Sequence, residues 1–273
     1  MVSFIGYPRS GKTTLIISLF AEIFAQRILR GVNIIPRGEE TIKRVNEDIA
    51  RLESSRELGP TTDQDLFSYR VEMLTGRNIF SRRYKIELGD FPGEASENLA
   101  SEEPEWLHPT KYFQWALNAD AFIFVIDLEY LSDFESDNAV KYKLAITSSF
   151  RAAWQKIKDH HYDGVRRLQD NPIVVVFTKA DLLSYSEDSY SEKNMNNSPH
   201  LPRNYNKPII IDSKEQKIME KENQIKKYFR DVIEYFKSET NKFNIVFSSV
   251  FAKEKNDGIR FGMEALARSV LPK

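Results

Sequence analysis

Nine residues near the start of the chain have the types and spacing needed to wrap a phosphate group. Gly6, Gly11, Lys12 and Thr13 occupy the fixed positions of the pattern G-x-x-x-x-G-K-[ST]. In such a loop, backbone N–H groups point inward and the following helix adds its positive end. The lysine bridges the outer phosphates, and the hydroxyl coordinates magnesium. The predicted loop residues are Gly6, Tyr7, Pro8, Arg9, Ser10, Gly11, Lys12, Thr13 and Thr14.

A second motif, D-x-x-G, begins at Asp90 and ends at Gly93, directly after a predicted strand. At that position the Asp90 carboxylate can hold a magnesium-bound water, and the Gly93 N–H can meet a γ-phosphate. The four letters alone fit any Asp-Gly turn. Their place after a strand, downstream of the phosphate loop, favours the phosphate role.

A third motif, T-K-A-D, follows an apolar strand and predicts which base is bound. Guanine presents two hydrogen-bond donors on one edge, and the Asp181 carboxylate can accept both. Adenine places an acceptor there, so Asp181 would reject it. Thr178 opens the motif, and the stem of Lys179 can lie over the face of the base. The predicted ligand is therefore GTP or GDP.

A serine-rich stretch after the last predicted strand completes the set of candidate base contacts. A backbone amide there can contact the guanine oxygen. The residues concerned are Ser248, Ser249 and Val250.

Composition limits the class of protein. The 273 residues are 41% apolar, enough for a full core, and Lys plus Arg nearly balance Asp plus Glu. A balanced charge excludes the basic excess that non-specific nucleic-acid binding requires. Cysteine is absent, which fits a reducing compartment. A strand from residue 2 leaves no room for a signal peptide, and the longest apolar runs are too short to cross a bilayer. We therefore expect a soluble cytoplasmic protein.

Strand and helix patterns alternate along the chain, and these elements must hold the motifs. The alternation predicts an α/β fold with a mostly parallel six-stranded sheet and helices on both faces. One strand is expected to be antiparallel, because the turn at 75–78 joins two strands as a hairpin. Pro36 is expected to break the chain between two helices. The expected strands are 2–5, 66–74, 84–88, 121–126, 173–177 and 243–247. The expected helices are 12–30, 40–58, 138–160, 218–236 and 258–270.

Two segments exceed what this plan needs. One is a helical insertion at about 36–60, and the other is a polar loop insertion at about 184–212, rich in Ser and Asn. Neither comes with a domain linker or an internal repeat. We therefore predict one domain over residues 1–273.

The ordered motifs resemble those of the Ras-like GTPases in the TRAFAC class of P-loop proteins. The phosphate loop, D-x-x-G, T-K-x-D and the serine-rich stretch occur in family order over nearly the whole chain. The resemblance implies the three-layer sandwich of a P-loop NTPase, Mg²⁺ as cofactor and hydrolysis of GTP to GDP. More narrowly, the two insertions are similar to those of double-GTPase proteins of prokaryotic conflict systems. That likeness implies a partner GTPase and a role in signalling or defence.

The resemblance also implies a switch threonine that ligates magnesium when the γ-phosphate is present. Thr61 or Thr62 takes this role, and Pro60-Thr61 matches the proline-threonine pair of the family more closely. A turn or helix N-cap accounts for the same residues.

Three positions with unusual residues concern catalysis. Many members carry glutamine directly after the D-x-x-G glycine, where it orients the attacking water, and this chain has Glu94. Its carboxylate either accepts a proton from water or belongs to an acidic, solvated loop. Arg9 lies where guanylate-binding proteins place an arginine that reaches the phosphates from the same chain. It is either such a finger or a rim residue that pairs with an acid or a partner. Pro8 removes one loop N–H and would hinder an external finger.

Two function classes follow from these residues. The first is a GTP-hydrolysing molecular switch that is slow without a partner, with Lys12, Arg9, Thr61, Gly93 and Glu94 as catalytic candidates. The second is a regulatory scaffold that binds GTP or GDP and scarcely hydrolyses it, which Glu94 and Pro8 favour. An ATPase or small-molecule kinase conflicts with Asp181. Expected partners are an effector or regulator at the switch segments, and a partner GTPase or a second copy of the chain.

Overall fold

A computed structural model describes residues 1–7, 9–29, 32–54, 67–75, 82–90, 116–131, 133–162, 168–183, 209–212, 216–255 and 257–271. The strands of these ranges are β1 (Val2–Gly6), β2 (Asn33–Pro36), β3 (Phe67–Thr75), β4 (Arg82–Asp90), β5 (Ala121–Asp127), β6 (Ile173–Thr178), β7 (Ile209–Ile211), β8 (Phe243–Phe247) and β9 (Ala252–Glu254). The helices are α1 (Lys12–Phe24), α2 (Glu39–Glu53), α3 (Asp137–Tyr162), α4 (Gln216–Tyr228), α5 (Arg230–Glu239) and α6 (Met263–Val270).

The main sheet has the order β2-β3-β4-β1-β5-β6-β8. Strand β3 runs antiparallel to both of its neighbours, and the other recorded pairings are parallel. This confirms a mostly parallel α/β sheet with one antiparallel strand. The prediction of six strands was wrong, because Asn33–Pro36 adds a seventh strand to the sheet. Pro36 does not break the chain there, since an edge strand tolerates a residue without an N–H group.

The core lies on both faces of the sheet. Side chains of a strand alternate between the faces, and the two central strands β5 and β6 are buried on both. Phe122 and Phe124 belong to a cluster with apolar residues of α3, α4 and α5, whereas Ile123 and Val125 cluster with residues of α1 and α6. The result is the expected three-layer sandwich.

Several helices differ in extent from the sequence expectation. Helix α1 ends at Phe24, and the chain then takes positive φ angles at Gln26 and Leu29. The expected helix at 218–236 is two helices, α4 and α5, which meet at Phe229. The final helix begins only at Met263, after Gly262 with φ +80°. No helix in the described ranges is long and apolar enough to cross a membrane.

A small second sheet lies beside the last strands. Ile209–Ile211 pairs in parallel with Ala252–Glu254, and Ile211 is buried. These residues belong to the stretch expected to be a polar loop, so that expectation was wrong at its C-terminal end. Helix α2 lies within the predicted helical insertion and packs on α1.

Candidate nucleotide-binding site

The predicted phosphate loop connects strand β1 to helix α1. Arg9 and Gly11 both have left-handed backbone angles, with φ +57° and +85°. The amide of Ser10 donates to the Tyr7 carbonyl oxygen at 3.3 Å, which closes a tight turn. A glycine adopts the left-handed region without the steric cost that a side chain brings. Pro8 lies outside the described residues.

Gly6 is required for a different reason, which is space. A Cβ atom built on Gly6 would lie 2.8 Å from the carbonyl oxygen of Val125 and 3.0 Å from its Cβ. Strands β1 and β5 are therefore too close at this point to admit a side chain. The first fixed glycine of the motif lets the loop leave the sheet next to β5.

The Lys12 side chain folds back over the start of the loop. Its ammonium donates to the carbonyl oxygens of Gly6 at 3.0 Å and Tyr7 at 2.7 Å. The side chain is buried although it carries a charge, and these charged hydrogen bonds offset the burial. The ammonium lies at the loop, where the sequence predicts that it meets phosphate oxygens.

A hydrogen bond joins the phosphate loop to the base motif. The hydroxyl of Thr178 donates to the Ser10 carbonyl oxygen at 2.8 Å, and it lies 3.3 Å from the Ile126 carbonyl oxygen. Thr178 ends strand β6. The sequence assigns this threonine to the base motif but gives no sign of the bond, which links residues 168 positions apart.

Asp181, the predicted base-reading carboxylate, is oriented by a hydrogen bond from a neighbouring loop. It is 1% exposed, and its Oδ1 accepts a 2.6 Å hydrogen bond from the Ser249 hydroxyl. The Ser249 oxygen accepts in turn from the amides of Phe251 at 3.2 Å and Ala252 at 3.1 Å. The serine-rich stretch thereby orients Asp181, a role that sequence reasoning missed.

The same stretch was predicted to offer a backbone amide to guanine. The amide of Ser248 donates to the Phe177 carbonyl oxygen at 2.8 Å, and that of Ser249 donates to Phe261 at 3.1 Å. Both of these amides bond within the protein, and the guanine contact stays a prediction. The carbonyl oxygen of Ser248 also accepts from the Ala180 amide at 3.0 Å, so the two base loops brace each other.

Lys179 has a left-handed backbone, with φ +60°, and its ammonium forms ion pairs with Asp127 and Glu129. Asp127 is the last residue of β5, and Glu129 follows in a 3₁₀ turn. Burial raises the pKa of the Asp127 carboxyl, and the Lys179 charge opposes that rise. Sequence reasoning missed both acids. A polar residue directly after an apolar strand, at its carboxyl end, was the available signal.

Tyr7, in the variable part of the loop, fixes the loop to helix α3. Its hydroxyl lies 2.7 Å from the Ser149 Oγ atom, and its ring meets Tyr142 edge-on at 6.2 Å. Burial raises the pKa of Tyr7, so the hydroxyl stays neutral at ordinary pH. The sequence predicts Tyr7 only as a loop residue.

Some of the remaining candidate site residues lie within the described part of the chain, and others lie outside it. Strand β4 ends at Asp90 and runs parallel to β1, with Gly89 opposite Ser3, so Asp90 reaches the same edge of the sheet as the phosphate loop. Thr13 and Thr14 are half-buried in the first turn of α1, and Arg9 is exposed. The candidates outside the described residues are Thr61, Thr62, Gly93 and Glu94.

Within the described ranges, no group of three or more His, Asp or Glu side chains could hold a metal ion. Magnesium in nucleotide sites needs no such cage, because it retains waters and takes phosphate oxygens with one or two protein ligands. The Thr13 hydroxyl at the start of α1 and the position of Asp90 at the end of β4 fit that donor set.

A family model described as Double-GTPase 2 matches residues 1–207. The chain belongs to this family. The match includes the phosphate loop, D-x-x-G and T-K-x-D, and it confirms the narrower of the two resemblances. Double-GTPase 2 membership assigns GTP binding to the chain as a general property. A comparison with curated proteins found no match.

Proposed function

We propose that this chain is a magnesium-dependent molecular switch that hydrolyses GTP to GDP and phosphate. The observation that carries the proposal is the 2.8 Å bond from Thr178 to Ser10. It joins the loop that bears Lys12 to the loop that bears Asp181, so groups suited to phosphate and to guanine belong to one rigid unit. A single nucleotide that contacts both loops is the ligand this arrangement suits.

The positions of the switch groups along the chain indicate how the protein could distinguish GTP from GDP. Asp90 stands at the carboxyl end of β4, and the predicted switch groups, Thr61 or Thr62 and Gly93, flank β3 and β4 in the sequence. Contacts of these groups with the γ-phosphate would order their segments, and hydrolysis would release them. Bound magnesium supplies positive charge at the β- and γ-phosphate oxygens.

Arg9 is the cis candidate for stabilising charge on the transferred phosphoryl group. It is exposed at the rim of the loop, on a left-handed backbone. An arginine finger accelerates hydrolysis by about 10³–10⁵. Glu94 in place of glutamine is expected to make the unassisted reaction slow, because its carboxylate would be repelled by the γ-phosphate.

The second candidate function is a regulatory scaffold that binds GTP or GDP with little hydrolysis. Glu94 and Pro8 favour it, since one replaces the water-orienting amide and the other would hinder an external finger. In either case we propose a single cytoplasmic GTPase domain with two insertions. Its regulator or effector would bind the switch segments, and the partner GTPase would be a second protein or a second copy.

Single-turnover phosphate release from Mg-GTP separates the two candidates. Wild type is expected to release phosphate slowly, Arg9→Ala to be slower by at least about 10³ if Arg9 is the finger, and Glu94→Gln to be faster. The control is Arg268→Ala, an exposed arginine of α6 paired with Glu264 on its own helix, which should match wild type. If no form releases phosphate, with or without the physiological partner, the hydrolysis proposal is wrong and the regulatory scaffold is the remaining candidate.

Base choice needs its own experiment. Asp181→Asn should shift binding from GDP toward xanthosine diphosphate, because an amide can donate where xanthine offers a carbonyl oxygen. ATP outcompeting GTP on wild type would overturn guanine specificity and revive an ATPase or kinase.

A further inference from the structure

The Lys179 side chain is fixed at its ammonium end. A lysine side chain ordinarily keeps much rotamer freedom, and ordering it costs conformational entropy. Here the ammonium is bound by two carboxylates, Asp127 and Glu129, and the side chain is 17% exposed. The left-handed backbone sets the direction in which the stem leaves. Both ends of the stem are therefore constrained.

Asp127 is itself held on several sides. Its Oδ1 accepts from the Glu129 amide at 2.9 Å, and its own amide donates to the Tyr142 hydroxyl at 2.9 Å. Tyr142 is buried and stacks on Tyr130, with ring centroids 4.5 Å apart. A buried carboxylate is costly without a cation, so Asp127 and Lys179 stabilise each other.

In the sequence, Lys179 lies between Thr178 and Asp181, and both of these side chains form hydrogen bonds with other loops of the site. Thr178 binds the phosphate loop, and Asp181 is oriented by Ser249. A stem fixed between them has one position relative to the base-reading carboxylate. A preordered stem binds a base without a further loss of side-chain entropy.

We infer that Asp127 and Glu129 are positioning residues for Lys179, and that this acid pair sets how long a guanine nucleotide stays bound. The inference rests on the proposed nucleotide binding. The two acids act on the stem of Lys179, which contacts the flat face that all purines share. Asp181 instead recognises the edge of the base. Loss of an acid therefore shortens residence without changing the preference among bases.

The test is the release rate of GDP carrying a fluorescent N-methylanthraniloyl group, chased with unlabelled GDP in Mg²⁺. Asp127→Asn is expected to release it about tenfold faster or more, the scale of one hydrogen bond to a charged group. Glu129→Gln, at a 40% exposed side chain, should give a smaller increase of about two- to threefold, because exposed pairs are weak. Asp133→Asn, an exposed acid of the same segment that accepts only local bonds among the described residues, should match wild type.

A Lys179→Met background decides whether the acids act through the lysine. In that background neither Asp127→Asn nor Glu129→Gln should speed release further, and Asp127→Asn should raise the melting temperature by removing an unpaired buried charge. The ratio of GDP to xanthosine diphosphate affinity should stay at the wild-type value in the acid variants. A general collapse of the base loop would change that ratio. If Asp127→Asn does not fold, Glu129→Gln alone carries the comparison.

The outcomes separate the inference from the function on which it rests. Unchanged release in both acid variants, or equal acceleration with and without Lys179, overturns the inference while GTP binding stands. Wild type that binds no labelled GDP at all overturns both.

Discussion

The hydroxyl of Thr178 and the carbonyl oxygen of Ser10 form a 2.8 Å hydrogen bond between the end of β6 and the phosphate loop. The two groups are buried. A displacement of either loop would break this bond or carry the other loop with it. The two loops that we propose for phosphate binding and base binding are therefore mechanically coupled in this chain.

Replacing Thr178 by valine should weaken both the fold and nucleotide binding. Valine keeps the shape but leaves the buried Ser10 carbonyl oxygen without its donor, which costs about 1–3 kcal/mol. Thr178→Ser retains the hydroxyl and should lose less. Urea unfolding gives the stability difference, and GDP titration gives the affinity. A loss in the serine variant with none in the valine variant would show that the methyl group, not the bond, matters.

Gly262→Ala is expected to be strongly destabilising. The backbone has φ +80°, and an added Cβ would collide with the Phe247 carbonyl oxygen. Gly258 is the matched control, because it has φ +67° but, among the described residues other than its chain neighbours, no atom within 4 Å of its Cβ position. Gly258→Ala should cost only the left-handed strain of about 1–2 kcal/mol, and Gly262→Ala should cost more. Thermal melts that rank the two variants in the opposite order would refute the collision.

Arg260 holds α1 through a buried ion pair. Its Nη1 atom lies 2.7 Å from Glu22 Oε1, and both side chains are buried. Arg260→Met should destabilise the fold by up to about 3–5 kcal/mol, because buried Glu22 would keep only its longer ion pair, 3.3 Å to the partly exposed Arg27. Adding Glu22→Gln should restore much of that loss. Denaturant titration of the single and double variants measures the coupling, and strictly additive losses would argue against it.

Glu53 should make a pH-dependent contribution to stability. Its hydrogen bond from Arg260, 2.9 Å long, is the main cause that lowers the pKa of its carboxyl below the ordinary value of 4.5. A lowered folded-state pKa means that the contribution is present above pH 4.5 and is lost as pH falls through the folded value. The stability gap between wild type and Glu53→Gln should therefore shrink in acid. Because Glu53 is half-exposed, we expect a small gap even at neutral pH.

The comparison variant for this pH series is Glu264→Gln. Glu264 pairs with Arg268 on the exposed face of α6, so this change should leave the free energy of unfolding nearly unaltered at neutral pH. A gap for Glu53→Gln that widens in acid would contradict the assignment.

Local sequence patterns predicted the central strands, and they placed the phosphate loop after β1 and T-K-A-D at the end of β6. The phosphate loop begins and ends where its glycines indicate, and the buried runs form β5 and β6 as expected. These features depend on neighbouring residues, which a sequence shows directly. Strand β2 was missed because the rule that proline interrupts strands is relaxed at a sheet edge.

The contacts that brace the site could not be predicted from the same patterns. The pairing of Lys179 with Asp127 and the bond from Ser249 to Asp181 join residues 52 and 68 positions apart. Neither pair has a spacing or a composition that marks it. Only the packing of β5, β6 and the loop after β8 brings them together. Thr61, Thr62, Gly93 and Glu94 stay predictions.

The position of β8 has a consequence for the length of chain that can be expressed alone. The family match ends at residue 207, but β6 pairs along its length with Phe243–Phe247. A fragment of residues 1–207 would expose the edge of β6, an apolar strand that is buried throughout in the intact chain. Open apolar edges recruit further strands, so the matched segment alone is expected to aggregate.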